Sequence, residues 1–469
     1  MPEFLVEILR NDIHPFVYFL LVKVWMAPFP GSDAWALASS LVTGFASVAV
    51  LAWVANRCYG PRAALWAAAI YCVLPNFAWA AANLRMYSLI PALVVMVWYC
   101  NREVLRVGAS GGRVFAMLLF QLVLAYTHAI EIFFVAFVVL SAGLEQHRNA
   151  SRKSKITWLC SQIGAGLCML PLVVPALVRG TEPLPVPSLI NFVLMPAQLI
   201  SGWALSNDVA GLIGGGVVFV ALLAFALTHR AARIMVVVIP CCVLVAALAI
   251  GSLGKPMFKP PVFTANVVPF LVLSAAAGVV VANRLLVRGA ALGLVLILAV
   301  ATWPWAGRLV SNGNFEVAAR YVRDAAKPGD LVIVPGLSTF WGVARYAVGP
   351  LWGKPLDVMP LKDNAQWSRL KERLGARLVS FLGLDPGTDM VEARGVRYVV
   401  GGDASRHQVS PQATVFVVHR RRYPEQVSVG FSVAARKVTW FEGDISVSAF
   451  QSAEQGPRTI ENPPYGDGR

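Results

Sequence analysis

The sequence has 469 residues, of which 57% are hydrophobic and only 14% are charged. Its mean hydropathy of +0.64 excludes an ordinary soluble protein, because average globular chains carry about 25% charged residues. The formal net charge of +15 would favour nucleic acid as the partner of a soluble chain, but no basic face with interleaved aromatic residues is visible, so we expect no nucleic-acid partner. The composition predicts an α-helical polytopic membrane protein.

Apolar runs long enough to form membrane spans follow one another through most of the chain. A helix needs about 20 apolar residues to cross the hydrocarbon core, and lipid-exposed backbone must be helical to satisfy its hydrogen bonds. About ten spans are predicted on this criterion, at 36–56, 62–80, 86–105, 114–128, 129–144, 156–178, 209–228, 233–253, 262–282 and 287–306. Only the polar group "YTHAIE" divides the run at 114–144.

Lysine and arginine are concentrated in every second loop between these runs. The basic set is Arg57, Arg62, Arg102, Arg106, Arg113, Arg148, Arg152, Lys153, Lys155, Arg230, Arg233, Arg284 and Arg288. The positive-inside rule places that set in the cytoplasm, so residues 1–35, 179–208 and 253–262, and everything after about 307, are predicted to lie outside. We therefore expect a multi-pass protein of the cell (inner) membrane, with residues 1–307 as its membrane domain.

The start of the chain raises a question of topology. Residues 1–12 lack the basic region and long apolar core of a signal peptide, although they are predicted to lie outside. Either the segment 16–30 is itself a span, or a further helix precedes Met1. We favour the upstream helix, and without it the chain is expected to be inactive as written.

The composition changes abruptly after about residue 307. The stretch "FEVAARYVRDAAKPGDLVIVPG" predicts an amphipathic helix, a turn and a buried strand, "GVRYVVGGD" and "ATVFVVHRR" predict further strands, and "WSRLKERLGARLVSFL" predicts a helix. About 160 residues suffice for one domain. Residues 308–469 are therefore predicted to form a soluble, extracytoplasmic α/β domain.

Four clusters of polar residues are predicted to meet on the outer face. They are Asp12 with His14, Arg85 with Tyr87 in "NLRMYS", His128 with Glu131 in "YTHAIE", and Lys255 with Lys259 in "GKPMFKPP". Ionisable groups at the membrane are costly and usually face a cavity or a partner. A carboxylate near cations suits transfer from a phosphate-linked donor, because the base deprotonates an acceptor hydroxyl while the cations stabilise the departing phosphate.

Each cluster also has a purely structural interpretation. Asp12 could cap a helix that has Pro15 in its first turn, and Arg85 could be an interfacial anchor whose head reaches water. His128 and Glu131 could form a hydrogen-bonded pair that closes a short turn. The two loop lysines could simply be solvated.

Three stretches resemble, in order and spacing, signatures of the dolichyl-phosphate-mannose protein mannosyltransferase superfamily and its bacterial relatives. "DIHPF" followed by "VYFLLVKVW" is similar to an Asp-x-His-Pro-Pro segment, "LRMYSL" to a Glu-Ala-Arg-Met-Tyr-Ala-Leu signature, and "LAYTHAIEIFF" to a Tyr-Thr-His-Tyr segment. The resemblance implies a GT-C fold, an active site on the outer face and a polyprenyl-phosphate-linked sugar as donor. No tightly bound cofactor is expected, and a divalent metal stays an open question.

The resemblance also implies roles for individual residues. Catalysis in that family uses an acidic residue of the first external loop as base, with inversion at the sugar, and Asp12 lies in the corresponding loop. Arg85 and Tyr87 match the second signature. His14 and His128 match their own motifs, which implies structural or acceptor-positioning roles.

The sequence departs from the family's pattern at several points. Phe16 replaces the second proline, Asn83 stands where the signature usually has Glu, and "VFTANVVPF" lacks a late Arg-Tyr pair. The family's first helix and the Asp-Glu pair after it would lie upstream of Met1. Asp12 is a secondary residue if that pair supplies the main base.

The sequence thus leads to one hypothesis and two alternatives. The hypothesis is an integral membrane glycosyltransferase that moves a sugar from a polyprenyl phosphate to a lipid, glycan or protein acceptor. In it, Asp12 acts as base or orients it, Arg85 with Lys255 or Lys259 holds the phosphate, and Tyr87 and His128 shape the site. A transporter or flippase of lipid-linked sugars should place charges near the bilayer midplane, and a non-catalytic scaffold would need none of these side chains.

Overall fold

The computed structural model of the chain forms two compact units, Met1–Val310 and Ser311–Arg469. The described residues of the first unit are 17–29, 33–83, 85–128, 130–146, 149–178, 194, 196–200, 209–228, 260–281, 289–294 and 296–298. Those of the second unit are 315–327, 330–334, 390–393, 396–400, 414–420, 433–441 and 445–452. The predicted helix "WSRLKERLGARLVSFL" and the predicted span at 233–253 lie outside the described residues.

The first unit is built from α-helices. They are α1 (Val17–Met26), α2 (Asp33–Tyr59), α3 (Pro61–Val73), α4 (Pro75–Ala82), α5 (Ile90–Val107), α6 (Gly111–Ala125), α7 (Glu131–Gln146), α8 (Arg152–Val178), α9 (Val209–Thr228) and α10 (Pro260–Val281). Among the residues described, α2 over Trp35–Tyr59 and α10 over Phe263–Val281 are long and apolar enough to cross a membrane. The α3–α4 pair passes the same test when it is taken as one broken span. The number of crossings stays a prediction.

The predicted span at 62–80 is divided into two helices. Helices α3 and α4 are bent by 66° relative to each other, and Leu74 between them has extended backbone angles, φ −70° and ψ 133°. The cause is Pro75, which lacks an N–H group and disfavours helical angles in the residue before it. The bend turns the chain before it reaches Arg85.

Helix α1 is short and is fastened to α2. Its ten residues extend about 15 Å, roughly half the hydrocarbon thickness. The indoles of Trp25 and Trp35 stack with centroids 4.7 Å apart. Each indole N–H also donates to the backbone carbonyl of the other tryptophan, at 2.8 and 2.7 Å. These two reciprocal hydrogen bonds fix the end of α1 against the start of α2.

Helices α5 and α10 form the centre of the first unit. Most of α5 is buried, and α10 packs against α2, α3, α5 and α9. Trp98 of α5 and Phe270 of α10, both almost fully buried, meet edge to face at 6.2 Å. The two helices therefore hold in place the elements that carry the predicted outer-face clusters.

An ionic network lies at the end of α5 that is predicted to be cytoplasmic. Arg102 donates to Glu145 of α7 at 3.0 Å and to Glu103 at 3.2 Å, and Arg106 also binds Glu103. The Arg102 guanidinium lies 5.7 Å from the ring centre of Trp98. These contacts tie α5 to α7 at the opposite end from Arg85.

The second unit contains one described helix and a six-stranded sheet. The helix α11 spans Phe315–Ala325, and the strands are β1 (Leu331–Val334), β2 (Met390–Ala393), β3 (Val396–Val400), β4 (Val415–Arg420), β5 (Val433–Phe441) and β6 (Ile445–Ser452). The strand order is β2-β3-β1-β4-β6-β5. Strand β1 is parallel to β3 and β4, and the other pairs are antiparallel.

Asp330, just before β1, links the end of α11 to this sheet. Asp330 accepts hydrogen bonds from the N–H groups of Lys327 and Thr414, both at 2.7 Å. Since Thr414 precedes β4, this carboxylate fastens the start of β1 to the start of β4. Its role in the sheet is therefore structural.

Candidate functional site

The structure describes half of the residues that the sequence singles out. Asp12, His14, Lys255 and Lys259 lie outside the described residues. The other four lie in two segments that interrupt the helices of the first unit: Arg85, Tyr87, His128 and Glu131.

The first segment follows α4 and carries Arg85 and Tyr87. Arg85 is extended, with φ −148° and ψ 159°, and is followed by a single 3-10 turn, Met86–Ser88. The side chain of Arg85 is exposed while Tyr87 is buried. Among the described residues no carboxylate forms a salt bridge with Arg85, whose side chain is hydrogen-bonded to Tyr87.

The buried Tyr87 has an aromatic neighbour and a cationic one. Its ring stacks on that of Trp79 at 5.5 Å, which fixes the ring plane. Arg85 and Glu131 are both close enough to interact electrostatically with its hydroxyl. The Tyr87 hydroxyl is thus within electrostatic range of one cationic and one carboxylic residue.

Hydroxyl groups of α2 hold the Arg85 segment in place. Thr43 Oγ1 and Ser88 Oγ are 2.7 Å apart. Ser47 Oγ donates to the Ser88 carbonyl at 2.6 Å and accepts from the Ala92 N–H at 3.2 Å. These contacts satisfy backbone groups that have left the helical pattern, which is required of buried backbone.

The second segment is the turn between α6 and α7. The Ile130 N–H donates to His128 Nδ1 at 3.2 Å, and the Glu131 N–H donates to the His128 carbonyl at 2.9 Å. His128 thus closes the turn through backbone groups, and its side chain is buried. These contacts fit a turn-closing role, and the role of His128 in a site stays a prediction.

Glu131 connects this turn to α10. Asn266 Nδ2 donates to Glu131 Oε1 at 2.9 Å, and both residues are fully buried. The second oxygen, Oε2, has no hydrogen-bond partner within the described part of the chain. A buried carboxyl with an open acceptor is a candidate contact for a hydroxyl group.

Helix α1 contacts the second segment at its first turn. The Val17 N–H donates to the Tyr126 carbonyl at 3.1 Å, and Tyr18 lies within electrostatic reach of Arg85. The residues just after "DIHPF" are therefore beside the turn that carries His128. Helix α1 thus begins next to the turn that carries the third cluster, while Asp12 and His14 of the first cluster lie outside the described residues.

The sequence did not reveal several residues of this site: Tyr18, Thr43, Ser47, Trp79 and Asn266. The one available signal is that Ser39, Thr43 and Ser47 recur at helical spacing within an apolar span. Asn266 is the lone amide of the stretch "VFTANVVPF". No group of three or more His, Cys, Asp and Glu side chains that could hold a metal occurs among the residues searched.

Comparison with known proteins identifies the fold. No model of a known family matches the chain, and no curated protein matches it. The crystal structure of ArnT from Cupriavidus metallidurans bound to undecaprenyl phosphate matches 96% of this chain and 90% of its own, with a TM-score of 0.52 and 14% identity. The apo state of the same protein matches 96% of this chain and 89% of its own, with the same TM-score and identity. The likeness confirms the predicted fold: this chain has the GT-C membrane fold.

Proposed function

We propose that the chain is an integral membrane glycosyltransferase that transfers a sugar from a polyprenyl-phosphate-linked donor to a lipid, glycan or protein acceptor on the outer face of the membrane. One observation carries the proposal: an exposed arginine, Arg85, is held at a helix break beside the buried Tyr87, within a GT-C fold. The similar ArnT structure contains undecaprenyl phosphate, which supports a polyprenyl phosphate as the carrier.

The reaction needs a base and a cationic site for the leaving group. In the proposal, Asp12 takes the proton of an acceptor hydroxyl, or orients the base that does. The hydroxyl oxygen then bonds to the anomeric carbon of the sugar with inversion, while the bond between that carbon and the phosphate oxygen breaks. The electron pair leaves with the polyprenyl phosphate, whose charge is stabilised by Arg85 together with Lys255 or Lys259.

The remaining residues shape the site in this proposal. Tyr87 is fixed by Trp79 and interacts with Arg85, so it orients the guanidinium. His128 and His14 have structural roles or position the acceptor. Glu131, whose open oxygen is buried, contacts a substrate hydroxyl.

Mass spectrometry of polyprenyl-phosphate lipids tests this function in cells. Deletion of the gene is expected to make one sugar-linked carrier accumulate, and the full chain should clear it. Asp12→Asn and Arg85→Ala should fail to clear it. Arg62→Ala, which alters an exposed arginine in a predicted cytoplasmic loop, should clear it. A lipid pool that deletion leaves unchanged would remove the support for a transferase.

A further inference from the structure

The hydroxyl of Ser47 occupies the place of a helical hydrogen bond. In an uninterrupted helix, the N–H of residue 92 would donate directly to the carbonyl of residue 88. Here Ser47 Oγ accepts from the Ala92 N–H at 3.2 Å and donates to the Ser88 carbonyl at 2.6 Å. A side chain inserted into this ladder is a recognised cause of helix breaks. The Ala92 N–H also donates to the Leu89 carbonyl at 3.2 Å, so the buried Ser47 shares this N–H and links Ser88 to the first turn of α5.

Thr43 acts on the same residue from one turn earlier in α2. Its Oγ1 lies 2.7 Å from Ser88 Oγ, and Ser88 Oγ in turn lies 3.4 Å from the Arg85 carbonyl. Thr43 and Ser47 thus contact the side chain and the backbone of Ser88. Because Ser88 is only three residues from Arg85, these bonds restrain the position of the Arg85 backbone and hence of its side chain.

We propose that Ser47 and Thr43 are positioning residues, which hold the Arg85 segment against α2 so that Arg85 can bind the phosphate of the carrier lipid. The inference rests on the proposed function for the identity of the ligand. If Ser47 becomes Ala, the Ser88 carbonyl loses its donor and the Arg85 segment loses a hydrogen bond to α2.

Binding of undecaprenyl phosphate to the purified full-length chain tests the inference. Ser47→Ala is expected to weaken binding about tenfold, which is the effect of one buried hydrogen bond. Thr43→Val should weaken binding and Thr43→Ser should not, because only the serine keeps the hydroxyl. Ser39→Ala is the matched control, since the Ser39 hydroxyl bonds to the Ala36 carbonyl of its own helix.

A double-mutant cycle with Arg85→Ala separates positioning from general stability. If Ser47 acts through Arg85, Ser47→Ala should have no further effect on binding in the Arg85→Ala background. Equal losses in both backgrounds would overturn the inference, as would equal binding by the Thr43→Val and Thr43→Ser variants. The Thr43 pair gives this answer even if Ser47→Ala does not fold.

The same experiment distinguishes failure of the inference from failure of the proposed function. If Arg85→Ala weakens binding but Ser47→Ala and Thr43→Val do not, the positioning role is wrong and the role of Arg85 stands. If Arg85→Ala itself binds undecaprenyl phosphate as tightly as the unaltered chain, the phosphate site is wrong and both proposals fall.

Discussion

The hydrogen bond between Glu131 and Asn266 is expected to stabilise the contact of α7 with α10. The test is Glu131→Leu, which removes the acceptor and keeps a similar side-chain volume, so the cavity term is small. Bonds between helices in membranes contribute about 0.6 kcal/mol on average and up to about 1.7. Leaving a buried polar group unsatisfied costs about 1–3 kcal/mol. Because both residues are 0% exposed, we expect the upper part of the membrane range, about 1.5 kcal/mol.

Glu131→Gln is the matched control for this prediction. Glutamine keeps a carbonyl oxygen that can accept from Asn266, so we expect it to cost less than about 0.5 kcal/mol. The free energy of unfolding is measured by a denaturing-detergent titration of the purified chain, for the single variants and for Glu131→Leu combined with Asn266→Leu. The two sites should couple by about 1 kcal/mol.

Two results would refute this reasoning. Equal stability of the Leu and Gln variants would mean that the acceptor oxygen does not matter. Strictly additive effects of Glu131→Leu and Asn266→Leu would mean that the two side chains do not stabilise each other, whatever their distance.

Two further predictions concern the packing of the same unit. Asn101→Leu removes a buried oxygen that accepts from three donors of α6 and α8, one of them buried and two half-buried, and should cost about 2 kcal/mol. Ser161→Ala, which affects a bond within α8, should cost little, and equal stability of these two variants would contradict the prediction. Gly278→Ala places a methyl group against the Phe225 carbonyl and should lower the midpoint of thermal unfolding, at a cost of about 1–3 kcal/mol. Gly214→Ala, which meets open space, is its control, and an unchanged midpoint for Gly278→Ala would contradict close packing of α9 on α10.

Hydropathy and local motifs predicted much of the fold from the sequence alone. Long apolar runs are a direct consequence of the bilayer, so α2 and α10 were expected in place. The break at Pro75 was missed, because hydropathy reports only how apolar a segment is. A bent pair of helices is as apolar as one straight helix. The dipeptide Leu74–Pro75 is the visible signal, since proline restricts the residue before it.

The candidate site was predictable only where its residues share a local motif. Arg85 with Tyr87 and His128 with Glu131 are neighbours in sequence, so each pair could be recognised. Asn266 lies 135 positions from Glu131, and a single sequence does not reveal such a pairing.

The contacts of α2 with the Arg85 segment could not be predicted for the same reason, because they also join residues that are far apart in sequence. Ser47 is 41 positions from Ser88, and a serine in an apolar span is ordinarily bonded to its own helix, as Ser39 is. The distinction between these two serines becomes visible only when α2 and α5 are packed together.

The most direct test of the account is to incubate the purified full-length chain with the lipid-linked sugars extracted from its own cells, and to measure the free polyprenyl phosphate released. The account predicts release together with a glycosylated acceptor, at a rate that Arg85→Ala lowers about 100-fold, as expected for removal of one group that stabilises the departing charge. If the chain releases no polyprenyl phosphate, and instead moves intact lipid-linked sugar across a liposome membrane, the transferase is wrong and the chain is a transporter.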